Sequence, residues 1–211
     1  MKAKDNRYIF ITGTSESGKS MIAEYIANEY NDSVHIKIRD VIKRMYEESD
    51  KRAKYEEWQE KFENTQKEQF WDLYLRVVDE MAMKSSLIVM DTLRKKESLE
   101  VLNKLTNGNI MLLYIDAKFE YRVKREYDRL SKEKNVSYEQ VKLNTMKKDK
   151  EKEKMGLIEI LQYIKNDNLK YGYVISNNGS LKNFQKCIDE KMKIFLGDND
   201  VRNCKNKRIE S

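Results

Sequence analysis

The chain has 211 residues, 37% of them charged, with a formal net charge of +6 and two cysteines. That length suits one domain with a sizeable core. Cys187 and Cys204, without histidine partners, exclude a disulfide framework or a zinc site. The longest apolar runs fall far short of the ~20 residues needed to cross a bilayer, and the start, MKAKDNRYIFITG, holds no signal-peptide core, so a cytoplasmic protein without a membrane partner is expected.

In chain order, the apolar run at 8–12 reads as a buried strand, followed by a glycine-rich turn and a helical pattern at 20–30. A second strand falls at 34–38, where His35 is expected to be an ordinary strand histidine. Residues 41–83 form a long helical insertion. Its stripe Phe70, Trp71, Tyr74, Val77, Val78 and Met81 reads as core packing rather than a base-stacking platform. Strands follow at 87–90 and 110–115, with a helix at 97–105 between them and another at 119–130 after the second. Residues 131–154 are nearly all polar and are expected to form a mobile or only partly packed flap. A strand at 173–176 and a helix at 181–195 end a single domain over 1–197, and 198–211 reads as a polar tail. Strands alternating with helices predict an α/β fold with a parallel sheet covered on both faces.

The chemistry sits in Gly13, Thr14, Ser15, Glu16, Ser17, Gly18, Lys19 and Ser20, which match G-x-x-x-x-G-K-[ST] between a strand and a helix. In that context the glycines let the backbone turn its N–H groups inward around phosphate oxygens, and the helix start favours the same anion. Lys19 is expected on the β- and γ-phosphates of ATP and the Ser20 hydroxyl on Mg²⁺. Asp91, ending the run SLIVMD, supplies the acid that a metal beside such a loop needs.

Other residues point to phosphoryl transfer onto a small-molecule acceptor. The chain lacks the Asn-Lys-x-Asp base reader of GTPases and the signature of transporter ATPases. Arg122, Arg125 and Arg129 share one helix face beside the polar flap and are expected to close over the transferring group. Asp40, at the carboxyl edge of the second strand, is expected either to take the acceptor hydroxyl proton or to cap the next helix. Arg39, Arg44 and Arg94 are expected to grip acceptor phosphate. The competing class is a nucleotide-gated regulatory or nucleic-acid-binding ATPase, for which the basic charge and the aromatic insertion speak; nucleic acid is the less favoured partner.

With these residues the chain resembles the nucleoside monophosphate kinase-like group of P-loop kinases, above all the archaeal dephospho-CoA kinase-like proteins and, more distantly, adenylate kinases. The resemblance rests on the loop, on Asp40-Val41-Ile42-Lys43, on Asp91-Thr92-Leu93-Arg94, and on Lys148-Asp149-Lys150-Glu151 as a degraded form of an Arg-Asp-x-Arg-Glu run. It implies a three-layer α/β/α P-loop NTPase fold whose five strands run in the order 2-3-1-4-5. It implies an acceptor-binding role for 41–83, a LID at 131–154, and contact between ATP's adenine and Asn177, Asn178 and Gly179. The acceptor it implies is nucleotide-like, a nucleoside monophosphate or a dephospho-CoA-like molecule. Thr92 stands in place of a glycine, and lysine and aspartate stand where a LID arginine pair is usual.

Overall fold

The computed structural model describes residues 6–49, 53–65, 67–91, 93 and 95–197. Arg94, Thr92, Cys204 and the whole 198–211 tail lie outside them. Five parallel strands form one sheet in the order β2-β3-β1-β4-β5: β1 (Arg7–Gly13), β2 (Ser33–Lys37), β3 (Leu87–Asp91), β4 (Ile110–Asp116) and β5 (Gly172–Ser176). Ile38, expected to end the second strand, instead opens the next helix.

The three inner strands are buried on both faces, as a sheet covered by helices demands, so they read as continuous apolar runs without alternation. On one face α1 (Lys19–Glu29) and α9 (Leu181–Leu196) pack on Ile9, Ile11, Val89, Leu113 and Ile175. The other face carries α2 (Ile38–Glu47), α4 (Lys67–Ala82), α5 (Lys96–Leu105) and α8 (Leu157–Lys165). The parallel register brings the carboxyl ends of β1, β2 and β3 to one edge, pairing Ile11 with Asp91 and Lys37 with Asp91. Ligands bind at such an edge in open α/β sheets.

The 41–83 insertion folds as the rest of α2, then α3 (Tyr55–Thr65) and α4. Its aromatic stripe is core: Phe70, Tyr74 and Val78 are fully buried. Edge-on ring contacts run Tyr55–Tyr46–Trp58–Phe62–Phe70–Trp71–Tyr74 with centroids 5.0–5.5 Å apart. Offset geometry of this kind adds to simple area burial and fixes how the helices sit on each other.

The polar stretch after α6 (Phe119–Leu130) is more ordered than its composition predicts. It forms α7 (Tyr138–Lys154), opened by a capping box in which Ser137 and Gln140 each accept the other's backbone N–H. Val141 and Thr145 are almost fully buried, and Asp149 lies on the same stripe at i, i+4, i+8. A narrow stripe closed by an ion pair suffices to dock a helix that an apolar-only reading leaves loose. The helix α8 was also not foreseen, although Leu157, Ile160 and Ile164 line its buried face. Among the described residues, no helix is long and apolar enough to cross a membrane.

Candidate functional site

Between β1 and α1 the loop turns through two glycines that no other residue replaces cheaply. Gly13 has φ +131°, and a Cβ there would sit 2.1 Å from the Ile115 carbonyl oxygen. Gly18 has φ +100°, and its Cβ would collide with the Asn177 amide nitrogen at 2.6 Å. Gly18 is also the N-cap of α1, with no side-chain cap and no acid in the first turn. The free amides and the dipole of α1 are therefore left for an anion.

Behind the loop, Asn177 donates to the Ser17 carbonyl oxygen at 2.8 Å, and its own backbone N–H donates to Asp116 O at 2.7 Å. The strand and turn after 172 thus brace the loop from outside. Asn178 accepts from the Lys118 amide at 2.7 Å, and Gly179 is exposed. None of the three lines the cavity over the loop. The two asparagine side chains hold a scaffolding position beside the loop.

The cavity over the loop has a volume of about 680 Å³ and is roofed by α6 and α7. Arg122 does not face it. This arginine is 5% exposed, and its guanidinium donates to Ala117 O at 2.9 Å, Ser15 O at 2.9 Å and Asp149 Oδ2 at 2.7 Å. Asp149 Oδ1 in turn accepts from the Ser15 amide at 3.0 Å. The expected catalytic role of Arg122 is therefore corrected: its Nε and Nη1 hold α6, α7 and the loop together, away from the cavity. Arg125 and Arg129 do line the cavity. Arg125 donates to Asn177 O through Nη2, while its buried Nη1 has no hydrogen-bond partner. Arg129 is held by the buried Glu126 at 2.6 Å, and Lys148 of α7 bridges Glu16 and Glu126.

Lys19 lies at the floor, donating to Thr14 O. Burial first, and Lys152 facing it from α7 second, lower its pKa to about 7 against the pull of Glu16 and Asp91. Such a group gains from a polyanion arriving between the two lysines. The buried Ser15 hydroxyl and Arg125 Nη1, both without partners, are further donors at the same wall. The residues present fit a polyphosphate.

Beside Lys19, the Ser20 hydroxyl lies 3.4 Å from Asp91 Oδ2. Burial alone would raise the Asp91 carboxyl, but His35, Ser20 and Lys37 outweigh it and hold the pKa below the usual value. His35 Nε2 is 3.7 Å from Asp91 Oδ2 and has no hydrogen-bond partner. It is a strand histidine, as expected, but its place two residues before the end of β2 puts it diagonally beside Asp91, a signal visible only once the register is known. No group of three or more His, Cys, Asp or Glu placed to hold a metal exists among the described residues. A hydroxyl plus one ionised carboxylate suits a hard cation completed by phosphate oxygens and water.

A second cavity, about 630 Å³, opens on the other side of Ser20 and Asp91. Its walls are apolar and aromatic at Ile42, Tyr55, Trp71 and Leu93, and cationic at Lys37, Arg39 and Lys95. The helices α2 and α5 both begin here, each with a lysine N-cap and no side-chain cap. Lysine at an N-cap runs against the usual preference and against the helix dipole, so both starts present uncapped amides beside cations. Ser98, 5% exposed, faces the same space.

Of the residues expected to grip an acceptor, Arg39 lines this cavity, Arg94 lies outside the described residues, and Arg44 is elsewhere. Arg44 sits on the outer face of α2, paired with Glu48 and Glu80 at 2.8 Å each. Asp40 is likewise outside the lining: half-exposed, it pairs with Arg39 at 3.2 Å. It does not cap α2 either, because the helix starts two residues earlier, with Lys37 as N-cap. Asp91 is the carboxylate the cavity does contain. Tyr55, Lys95 and Ser98 carry no mark in the sequence and Trp71 reads there only as core, since nothing local marks residues whose shared wall exists only after three helices pack.

No protein of curated function matches the chain in sequence. Among solved structures, an uncharacterized protein from Eubacterium ventriosum ATCC 27560 superposes with a TM-score of 0.53 at 13% identity, over 91% of this chain and 99% of that one, a likeness of fold. An unliganded sugar kinase from Janibacter sp. HTCC2649 superposes more loosely, with a TM-score of 0.45 at 15% identity over 90% of this chain and 95% of its own. The chloramphenicol phosphotransferase-like protein family matches residues 6–150, a span that holds the loop, Asp91, α2 to α5 and most of α7. That match covers more than half of the sequence, and the chain belongs to the chloramphenicol phosphotransferase-like protein family.

Proposed function

We propose that this protein is an ATP-dependent kinase that moves the γ-phosphoryl group onto a hydroxyl of a small acceptor held in the α2–α5 cavity. The observation that carries the reading is the meeting of two cavities at Ser20: a polyphosphate cradle on one side and a mixed aromatic and cationic chamber on the other. Membership of a phosphotransferase-like family supports the reaction class.

In this reading the loop amides, Lys19 and the α1 dipole hold ATP, and Arg125 with Arg129 lies over the phosphates. Ser20 and Asp91 would hold Mg²⁺, which supplies neutralisation of phosphate charge. The acceptor oxygen bonds to the γ-phosphorus as the bond from that phosphorus to the β–γ bridging oxygen breaks. ADP leaves with the bonding pair, and the hydroxyl proton is released. Because such transition states are loose, little base assistance is needed, which fits a cavity whose one carboxylate is held ionised.

For the acceptor, the cations Lys37, Arg39 and Lys95 and the uncapped starts of α2 and α5 favour a nucleotide-like molecule bearing an anionic group. A second reading, a neutral hydroxylated aromatic such as chloramphenicol, is favoured by the apolar wall of Ile42, Tyr55, Trp71 and Leu93 and by the family's description. Transfer from γ-labelled ATP across nucleoside monophosphates, dephospho-CoA and chloramphenicol tests both. The expected result is label on one acceptor class with wild type and at least about a hundredfold slower labelling with Lys19→Ala. Label found only as inorganic phosphate, whatever the acceptor, would refute the kinase reading.

A further inference from the structure

Among the described residues, two side chains line both cavities: Ser20 and Met155. Ser20 is the polar floor of the junction. Met155 reaches it from the opposite side, as the C-cap of α7. The next residue, Gly156, takes a left-handed conformation with φ 101° and starts α8.

Both helices that flank Met155 are fixed. The α7 helix is tied to the loop by Asp149 on the Ser15 amide and Lys148 on Glu16. The α8 helix is sunk in the core through Leu157, Ile160 and Ile164. Met155 is nonetheless 42% exposed, an apolar side chain following the charged run Lys150–Lys154, open to the cleft instead of packed in the core. A long, flexible, polarizable thioether is suited to lie against differently shaped groups.

We infer that Met155 is a positioning residue that keeps water out of the junction and so sets the ratio of phosphoryl transfer to ATP hydrolysis. The inference rests on the kinase reading above. Water at this point competes with the acceptor hydroxyl for the same γ-phosphorus. Its oxygen would bond there as the bond to the β–γ bridging oxygen breaks, giving ADP, inorganic phosphate and a proton. A phosphoryl-transfer site gains from excluding water, and an apolar side chain held at the junction serves that end. Ser20 cannot do this, because its hydroxyl attracts water. Met155 is the apolar member of the pair.

The test measures inorganic phosphate released from γ-labelled ATP without acceptor, for wild type, Met155→Ala, Met155→Ser and Met155→Leu. The half-exposed position makes folding losses small, and thermal unfolding and ATP-analogue affinity are followed as controls. Met155→Ala and Met155→Ser should hydrolyse about tenfold faster than wild type at unchanged ATP affinity, and Met155→Leu should return close to wild type. Hydrolysis by Met155→Ala at or below the wild-type rate, or Met155→Leu behaving like Met155→Ala, overturns the proposal. The outcome is separable from that of the parent reading. A wild type that labels no acceptor refutes the kinase reading, while the acceptor-free hydrolysis rates of the variants still decide whether Met155 keeps water out of the junction.

Discussion

The two sides of the junction are built by different means. The nucleotide side is one continuous segment, Gly13 to Ser20, whose shape is set by backbone conformation at two glycines and locked by a buried ion pair behind it. The proposed acceptor side draws Lys37 from β2, Ile42 from α2, Tyr55 from α3, Trp71 from α4 and Ser98 from α5, and the ring-to-ring packing of the insertion holds its aromatic members in one wall. A cradle made of backbone tolerates no change in conformation but much change in sequence around it. A wall made of side chains does the reverse, and it is where substrate choice is free to vary on a constant fold.

If that contrast is right, damage to the nucleotide side is severe and damage to the acceptor side is selective. Arg122→Ala should cost the most, because it leaves the largely enclosed Asp149 carboxylate without its cation. A loss of about 3–5 kcal/mol is expected in denaturant or thermal unfolding, and a loss below 1 kcal/mol would mean the pair does not lock the loop. Lys19→Ala should leave the fold intact and lower the transfer rate about 10²–10³-fold. On the acceptor side, Tyr55→Ala should raise the acceptor KM about fivefold, equivalent to roughly 1 kcal/mol, with the ATP KM unchanged. An equal rise in both would show that the two cavities do not act separately. The smallest effect is expected for Asp40→Asn, under about threefold in kcat, since the carboxylate is half-exposed and paired only with Arg39. A hundredfold loss there would return Asp40 to the reacting atoms.

The same contrast explains what the sequence disclosed. The strands, the loop, the Ser20–Asp91 pair and the aromatic core of the insertion were legible, because each depends on local spacing or on short apolar runs, whereas the strand order came only from the resemblance to P-loop kinases. Arg122 was legible as a conspicuous arginine but not as a buried brace, because its partners Ser15 and Asp149 lie far from it in sequence. The α7 helix was hidden by a composition in which Val141, Thr145 and Asp149 are the whole buried stripe. His35 and Met155 carried no local mark at all. One gains its neighbour Asp91 through strand register, the other its two cavities through the turn at Gly156.

The central claim is that the 13–20 loop grips a polyphosphate through Lys19, and titration calorimetry with a non-hydrolysable ATP analogue tests it most directly. In the ligand-free protein, burial and then Lys152 hold the Lys19 pKa at about 7, so the lysine is largely neutral at pH 8; phosphate oxygens beside it restore the charge. Titrations in buffers of different ionisation enthalpy should therefore show uptake of close to one proton at pH 8, falling away below pH 6, where the lysine is already charged. The Lys19→Ala protein should show weakened binding and no uptake. Absence of binding by the wild type, or binding and uptake unchanged in Lys19→Ala, would contradict the account.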